Sequence, residues 1–163
     1  VPGTPAGIGQ PTRFSRDFNP AIGFVVDSVF DYASFDDPGQ EDGFDGSLRL
    51  FELTGAAWID PKAWAYTVVA AEGEGEGIGV EEAALNYVGL PGHWNVKAGR
   101  FFVDFGKQMQ AHVHDLRTIE RPLVLRTFLG DELAGDGVEI GNWHALGDAS
   151  ALRYSFGAFG SAL

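Results

Sequence analysis

The chain has 163 residues and carries 23 acidic against 11 basic side chains, for a net charge of −12, a balance that excludes a nucleic-acid binder. It contains no cysteine, which removes disulfide frameworks, thiolate metal sites and cysteine nucleophiles. No run of eighteen apolar residues exists to form a transmembrane helix, whereas 13% aromatics and 23 glycines suit an envelope β-protein.

Val1 to Pro20 is rich in Pro and Gly, has no apolar period and reads as a linker. From Ala21 to Tyr32 the residues Ile22, Phe24, Val26, Phe30 and Tyr32 fall on one parity and Gly23, Asp27 and Asp31 on the other, which predicts a half-polar strand. Ala33 to Ser47 reads as a long acidic loop. Leu48 to Asp60 predicts a second strand, with Phe51, Leu53, Ala57 and Ile59 opposite Glu52, Thr54 and Trp58. After an Asp60-Pro61-Lys62 turn, Ala63 to Ala71 predicts a third, placing Trp64, Tyr66 and Val68 together.

The alternating run Glu72 to Gly77 reads as a solvated acidic loop, in which glutamates together with Glu81 would hold Ca²⁺ only weakly. Gly79 to Gly106 is the strongest signal: two strands of about ten residues about a tight turn at Leu90 to Trp94. The expected apolar face carries Ala83, Leu85 and Tyr87 on one strand and Gly99, Phe101, Val103 and Phe105 on the other, with Glu82, Asn86, Arg100 and Asp104 on the polar face. Lys97 shares the apolar parity beside the turn. Lys107 to Asp136 is the longest connection, with Pro122 to Leu129 as a helix or an irregular apolar piece. Gly137 to Leu146 and Ala151 to Gly160 predict two closing strands around a Gly147 to Ser150 turn.

Connections therefore alternate long and short, so an up-and-down sheet would have its tight turns at one end and its long loops at the other. Outer-membrane barrels have this form. Trp58, Trp64, Trp94 and Trp143, with Tyr66, Tyr87 and Tyr154, lie near tight turns and would form an interfacial aromatic belt. The expected fold is all-β, an antiparallel up-and-down transmembrane β-barrel of which about seven strands are visible between residues 21 and 163. An odd strand number, no initiator methionine and no signal-peptide pattern predict a fragment or a processed product. A soluble antiparallel barrel or sandwich that binds a ligand or partner gives similar alternation.

The segments FNPAIGFVVD (18–27), VEEAALNYVGLPG (80–92), VKAGRFFVDFG (96–106), ERPLVLRTFLG (120–130) and DGVEIGNW (136–143) resemble a family of Gram-negative outer-membrane porin-like barrels, distantly similar to the phosphate-selective porins. The resemblance covers residues 18 to 143 in order. It implies a channel in the bacterial outer membrane for passive diffusion of small polar solutes or ions, with residues 1 to 20 as a periplasmic linker. The partners that follow are outer-membrane lipid and lipopolysaccharide, the permeant solutes, and further copies as a homotrimer, with no nucleic acid and no cofactor.

Six basic residues against three acidic ones lie between positions 97 and 126. The expectation is that Arg100, Arg117, Arg121 and Arg126 line a constriction facing acidic walls such as Glu82 and Asp104 and set ion selectivity. Their alternative role is pairing with Glu82, Asp104 and Glu120 to hold the loop. His112, His114 and Asp115 form a metal-like cluster, read as exposed loop residues for which spacing fixes no third protein ligand. No nucleophile elbow, phosphate loop or zinc-histidine helix appears, so the chain is not expected to be an enzyme; a paired-acid site at Glu82 and Asp104 is better explained by lumenal polarity.

Overall fold

The structure, a computed structural model, describes residues 20–36, 39, 42–73, 77–104, 109, 111–116, 118, 120–130 and 133–160. Residues 1–19 of the linker, Phe105, Lys107, Arg117 and the middle of the EGEGEG run lie outside these residues.

Seven strands form one antiparallel sheet in chain order: β1 (Ala21–Ala33), β2 (Gly43–Asp60), β3 (Ala63–Glu72), β4 (Ile78–Tyr87), β5 (Asn95–Phe102), β6 (Ala134–Ala145) and β7 (Ala151–Phe159). A short α-helix, α1 (Leu123–Leu129), lies in the β5–β6 connection. The expected strands are all present. The acidic loop after β1 is shorter than expected, because Gly43 to Ser47 pair back onto Ala33 to Val29 and extend β2. That extension is held by stacked Phe30 and Phe44, whose ring centroids are 5.9 Å apart.

Local chemistry sets the turns. Asp60 Oδ1 accepts the N–H groups of Lys62 and Ala63 at 2.6 and 2.9 Å, folding the β2–β3 turn back on itself. Between β4 and β5, Pro91–His93 make one turn of 3-10 helix in which Gly92 takes a φ of 71° and His93 a φ of 66°. Asn142 Nδ2 donates to the Gly92 carbonyl at 3.0 Å and the His93 ring packs on Trp143, tying this turn to β6. Within β5, Gly99 at φ 131° lies so close to Ala83 and Ala84 of β4 that no side chain fits.

The distribution of residues between the two faces is the main feature of the fold. Facing partners across a ladder share a face. The registers therefore align Phe24, Leu53 and Val69, then Leu85, Ala98 and Val138, then Ile140 and Phe156, on one outer face. That face is apolar and open: Phe24 is 72% and Phe156 67% exposed. The inner face holds Glu52, Tyr66, Val68, Glu82, Ala84, Asn86, Lys97, Phe101 and Glu139, all buried. Its apolar part is a cluster of Tyr66, Val68, Ala84 and Phe101, with Ala56, Trp64 and Phe159 packed against it.

In β5 the expected parity is reversed. Ala83 pairs with Arg100 and Asn86 with Lys97, so Arg100 lies on the outer face, whereas Lys97, Gly99 and Phe101 lie on the inner one. Phe101 is 0% exposed and Lys97 2%. The turn geometry at 88–94, not the hydrophobic count, fixes this register, and a one-residue difference exchanges the faces. The lysine is accommodated by Glu139, whose Oε1 lies 3.7 Å from Nζ, and by the Phe101 ring, 3.9 Å from Nζ. Trp58 and Trp64 face each other across β2 and β3, with centroids 6.4 Å apart, and Trp64 stacks on the buried Tyr66. Those three rings belong to the inner side, not to an outer belt. Trp94 and Tyr154 meet edge to face at the turn end of the sheet.

Candidate functional site

A cluster of carboxylates and imidazoles lies where the β5–β6 connection folds over the inner face. Three separate parts of the sequence build it. Strand β2 supplies Glu52, whose pairing with Val25 and Ala70 directs it inward. Strand β4 supplies two consecutive acids through an irregularity: Val68 pairs with Glu82 and Val69 with Val80, leaving Glu81 as the extra residue of a bulge. A bulge re-aims the inserted side chain, and here it lets both Glu81 and Glu82 reach the same site. The connection supplies His112, just before a 3-10 turn at Val113–Asp115, and His114, within that turn, in which the Asp115 N–H donates to the His112 carbonyl at 2.9 Å.

The connection is fastened at several points. The Val103 N–H donates to the Leu133 carbonyl at 2.8 Å and closes its neck. Arg121, buried, directs both terminal nitrogens to the Ala111 carbonyl at 3.0 and 2.9 Å. Met109 is fully buried. The His112 ring packs edge-on against Phe102 and stacks on His114, with centroids 4.9 and 5.6 Å apart.

His112 is held by carboxylates at both ring nitrogens. Nδ1 lies 3.0 Å from Glu81 Oε2 and 3.5 Å from Glu52 Oε2, and Nε2 lies 3.2 Å from Glu82 Oε1. His114 Nδ1 lies 3.3 Å from the same Glu52 Oε2. Glu82 is itself oriented, since its Oε2 accepts the Tyr66 hydroxyl at 2.8 Å and the Phe102 N–H at 3.2 Å. Burial pulls the His112 imidazole down, but hydrogen bonds to Glu81 and Glu82 and the negative charge of Glu52 and Glu82 outweigh it, and its pKa is raised to about 10. The carboxylates thus make the position favour positive charge.

The basic residues expected at a constriction do not converge. Arg100 pairs with Asp136 on the outer face at 3.7 Å, Arg121 holds Ala111, and Arg126 on α1 pairs with Glu120. Asp104 pairs with Arg153 of β7, and Arg117 lies outside the described residues. Of the expected acidic partners only Glu120 is met, by Arg126; Arg100 joins β5 to Asp136 of β6, and Arg121 meets the Ala111 carbonyl. Glu82 is the one expected wall residue that enters the cluster.

His112 and His114 are half-buried rather than exposed, and Glu52 and Glu81 supply the carboxylates that spacing alone does not fix. Asp115 contributes less, with its Oδ2 3.8 Å from His114 Nε2 and its side chain nearly half exposed. Sequence reading places Glu52 and Glu82 on the polar face but gives them no histidine partner, because the partner lies about 30 residues or more away across a loop. The readable signal is the Glu81-Glu82 doublet, which breaks an otherwise regular alternation and so marks a bulge.

No family model matches the chain, and no solved structure matches it. An uncharacterized protein of Aquifex aeolicus (strain VF5) is 35% identical over 99 residues, 61% of this chain. The match spans only a fifth of that protein's length.

Proposed function

We propose that this chain is part of an outer-membrane β-barrel that passes small polar solutes or ions by passive diffusion. The observation that carries the reading is the inverted arrangement of the sheet: a largely apolar outer face, interrupted by the Arg100–Asp136 pair, is open, while Glu52, Glu82, Asn86, Lys97 and Glu139 are covered on the inner face. Soluble monomers rarely leave so extended an apolar surface in water, whereas barrel strands in a membrane alternate apolar outward and polar inward. The longest connection, 103–133, and the 34–42 loop lie at one end of the meander and the two-residue β2–β3 turn at the other, although β3–β4 (73–77) is shorter than β4–β5 (88–94). The resemblance to porin-like barrels points the same way. Strands β1 and β7 are the two edges of the sheet, so closure requires further strands.

The inner face also suggests the sign of selectivity. Among the described residues Lys97 faces Glu139 and Arg49 faces Asp27, while Glu52, Glu81 and Glu82 surround two imidazoles. An acidic wall of this kind favours cations. The arginine constriction expected from sequence would favour anions.

The test is conductance of the full-length protein in a planar bilayer under a KCl gradient. Stepwise ohmic conductance with a cation-selective reversal potential is expected. A folded protein that is soluble without detergent would refute the membrane reading and identify the apolar face as one covered by other parts of the protein. Extracted, folded protein that never conducts would leave a barrel without a channel.

A further inference from the structure

We propose that Glu52, Glu81, His112 and His114 form a binding site for a divalent transition-metal ion of the Zn²⁺ class, which pins the β5–β6 connection to the inner face of the sheet. The site depends on the fold alone and not on whether the outer face meets lipid.

Geometry is the first support. Zn²⁺ bonds to histidine nitrogen and carboxylate oxygen at about 2.0–2.2 Å, so the ligand atoms of a tetrahedral site lie about 3.4 Å apart. Here His112 Nδ1 is 3.0 Å from Glu81 Oε2 and 3.5 Å from Glu52 Oε2, and His114 Nδ1 is 3.3 Å from Glu52 Oε2. The ligand atoms of Glu52, Glu81 and His112 all lie within 4.8 Å of one another. A small inward adjustment of these three encloses one ion, and His114, which touches Glu52, must move inward with it to complete the set. Two imidazoles with two carboxylates suit zinc and its neighbours, whereas calcium and magnesium favour oxygen alone.

Orientation is the second and independent support. A histidine bound to a metal through one nitrogen usually gives its other N–H to a carboxylate, which fixes the ring and raises its basicity. Glu82 occupies that position, 3.2 Å from His112 Nε2, and is held there by the Tyr66 hydroxyl and the Phe102 N–H. With Nε2–H committed to Glu82, Nδ1 is the nitrogen presented to Glu81 and Glu52. On binding, the metal replaces the proton on Nδ1, which passes to solvent.

The experiment uses the full-length protein in detergent, stripped with a chelator and titrated with ZnCl₂ by calorimetry near neutral pH. One Zn²⁺ per chain is expected. His112→Ala and Glu52→Gln should abolish that event, and Glu82→Gln, which alters only the orienting group, should weaken it roughly 10–100-fold. Arg126→Ala, away from the cluster, should leave it unchanged. Each variant is checked for β-sheet content by circular dichroism. Because the buried Glu52 variant can fail to fold, Co²⁺ titration of the unaltered protein gives a second reading: visible bands of nitrogen and oxygen coordination should appear and be displaced by one equivalent of Zn²⁺. Absence of stoichiometric binding, a spectrum of hydrated Co²⁺ only, or folded His112→Ala protein that binds as before would each overturn the proposal.

Discussion

Lys97 offers the sharpest test of how dry the inner face is. Its Nζ lies 3.7 Å from Glu139 Oε1, and both side chains are almost wholly buried. Coulomb attraction at that separation is about 4.5 kcal/mol at an effective dielectric constant of 20, and about 1 kcal/mol if water surrounds the pair. Lys97→Met keeps most of the volume but leaves Glu139 buried without its ammonium partner, a change that costs about 3–5 kcal/mol in a dry interior. Glu139→Met should cost a similar amount. The double variant should recover most of the loss, because a buried pair can be exchanged for apolar residues at little net cost. Urea unfolding of the full-length protein in detergent, followed by tryptophan fluorescence, gives the four free energies of the cycle. A loss below about 1 kcal/mol for either single variant, the range of exposed pairs, would refute the argument and make the pair a solvated one.

The other predictions address the outer face and the β4–β5 contact. Leu53→Arg lies in the middle of β2, between Phe24 and Val69 on the apolar side. If that face meets a bilayer the substitution should cost about 2–4 kcal/mol in lipid vesicles; a change within about 0.5 kcal/mol, as on a wetted surface, would count against the membrane reading. Gly99→Ala should destabilise by more than about 2 kcal/mol, since a methyl group would run into the Ala83 carbonyl and stand 2.9 Å from the Ala84 Cα, at a φ that side chains avoid. A Gly99→Ala protein with the parent's urea midpoint would show that β4 and β5 are not so closely apposed.

Strand existence was legible in the sequence because alternation and turn chemistry agreed at each step: Asp60 at one turn, Pro91-Gly92 at the next, Gly147 at the last. Face assignment was legible in β1, β2 and β4 and failed in β5 and for Tyr66 of β3, expected outward but buried inside. In β5, Lys97, Gly99 and Phe101 contain one strong hydrophobe, and Ala98, Arg100 and Phe102 another, so composition does not choose between the faces. Register decides, and register comes from pairing with β4. The partners of the arginines were not legible for a related reason. A basic excess between 97 and 126 is visible as charge, but which acid each guanidinium meets depends on how the loop folds, and the loop brings histidines rather than arginines to Glu82.

The bulge at Glu81 connects sheet geometry to the candidate metal site and allows the two to be separated. Without Glu81, Val80 would still pair with Val69 and Glu82 with Val68, now as regular neighbours. Deleting this one residue should therefore preserve the faces of β4, keeping Ala84 and Asn86 inward and Leu85 and Tyr87 outward. It removes one carboxylate from the site while retaining Glu52, Glu82 and both imidazoles. Circular dichroism and the urea midpoint should stay close to the parent, whereas calorimetric Zn²⁺ affinity should fall at least tenfold. A deletion variant that folds and still binds zinc with the parent affinity would show that Glu81 is only a sheet irregularity. Unfolding of that variant would show instead that the strand requires the bulge, contradicting the register argument from which the deletion was drawn.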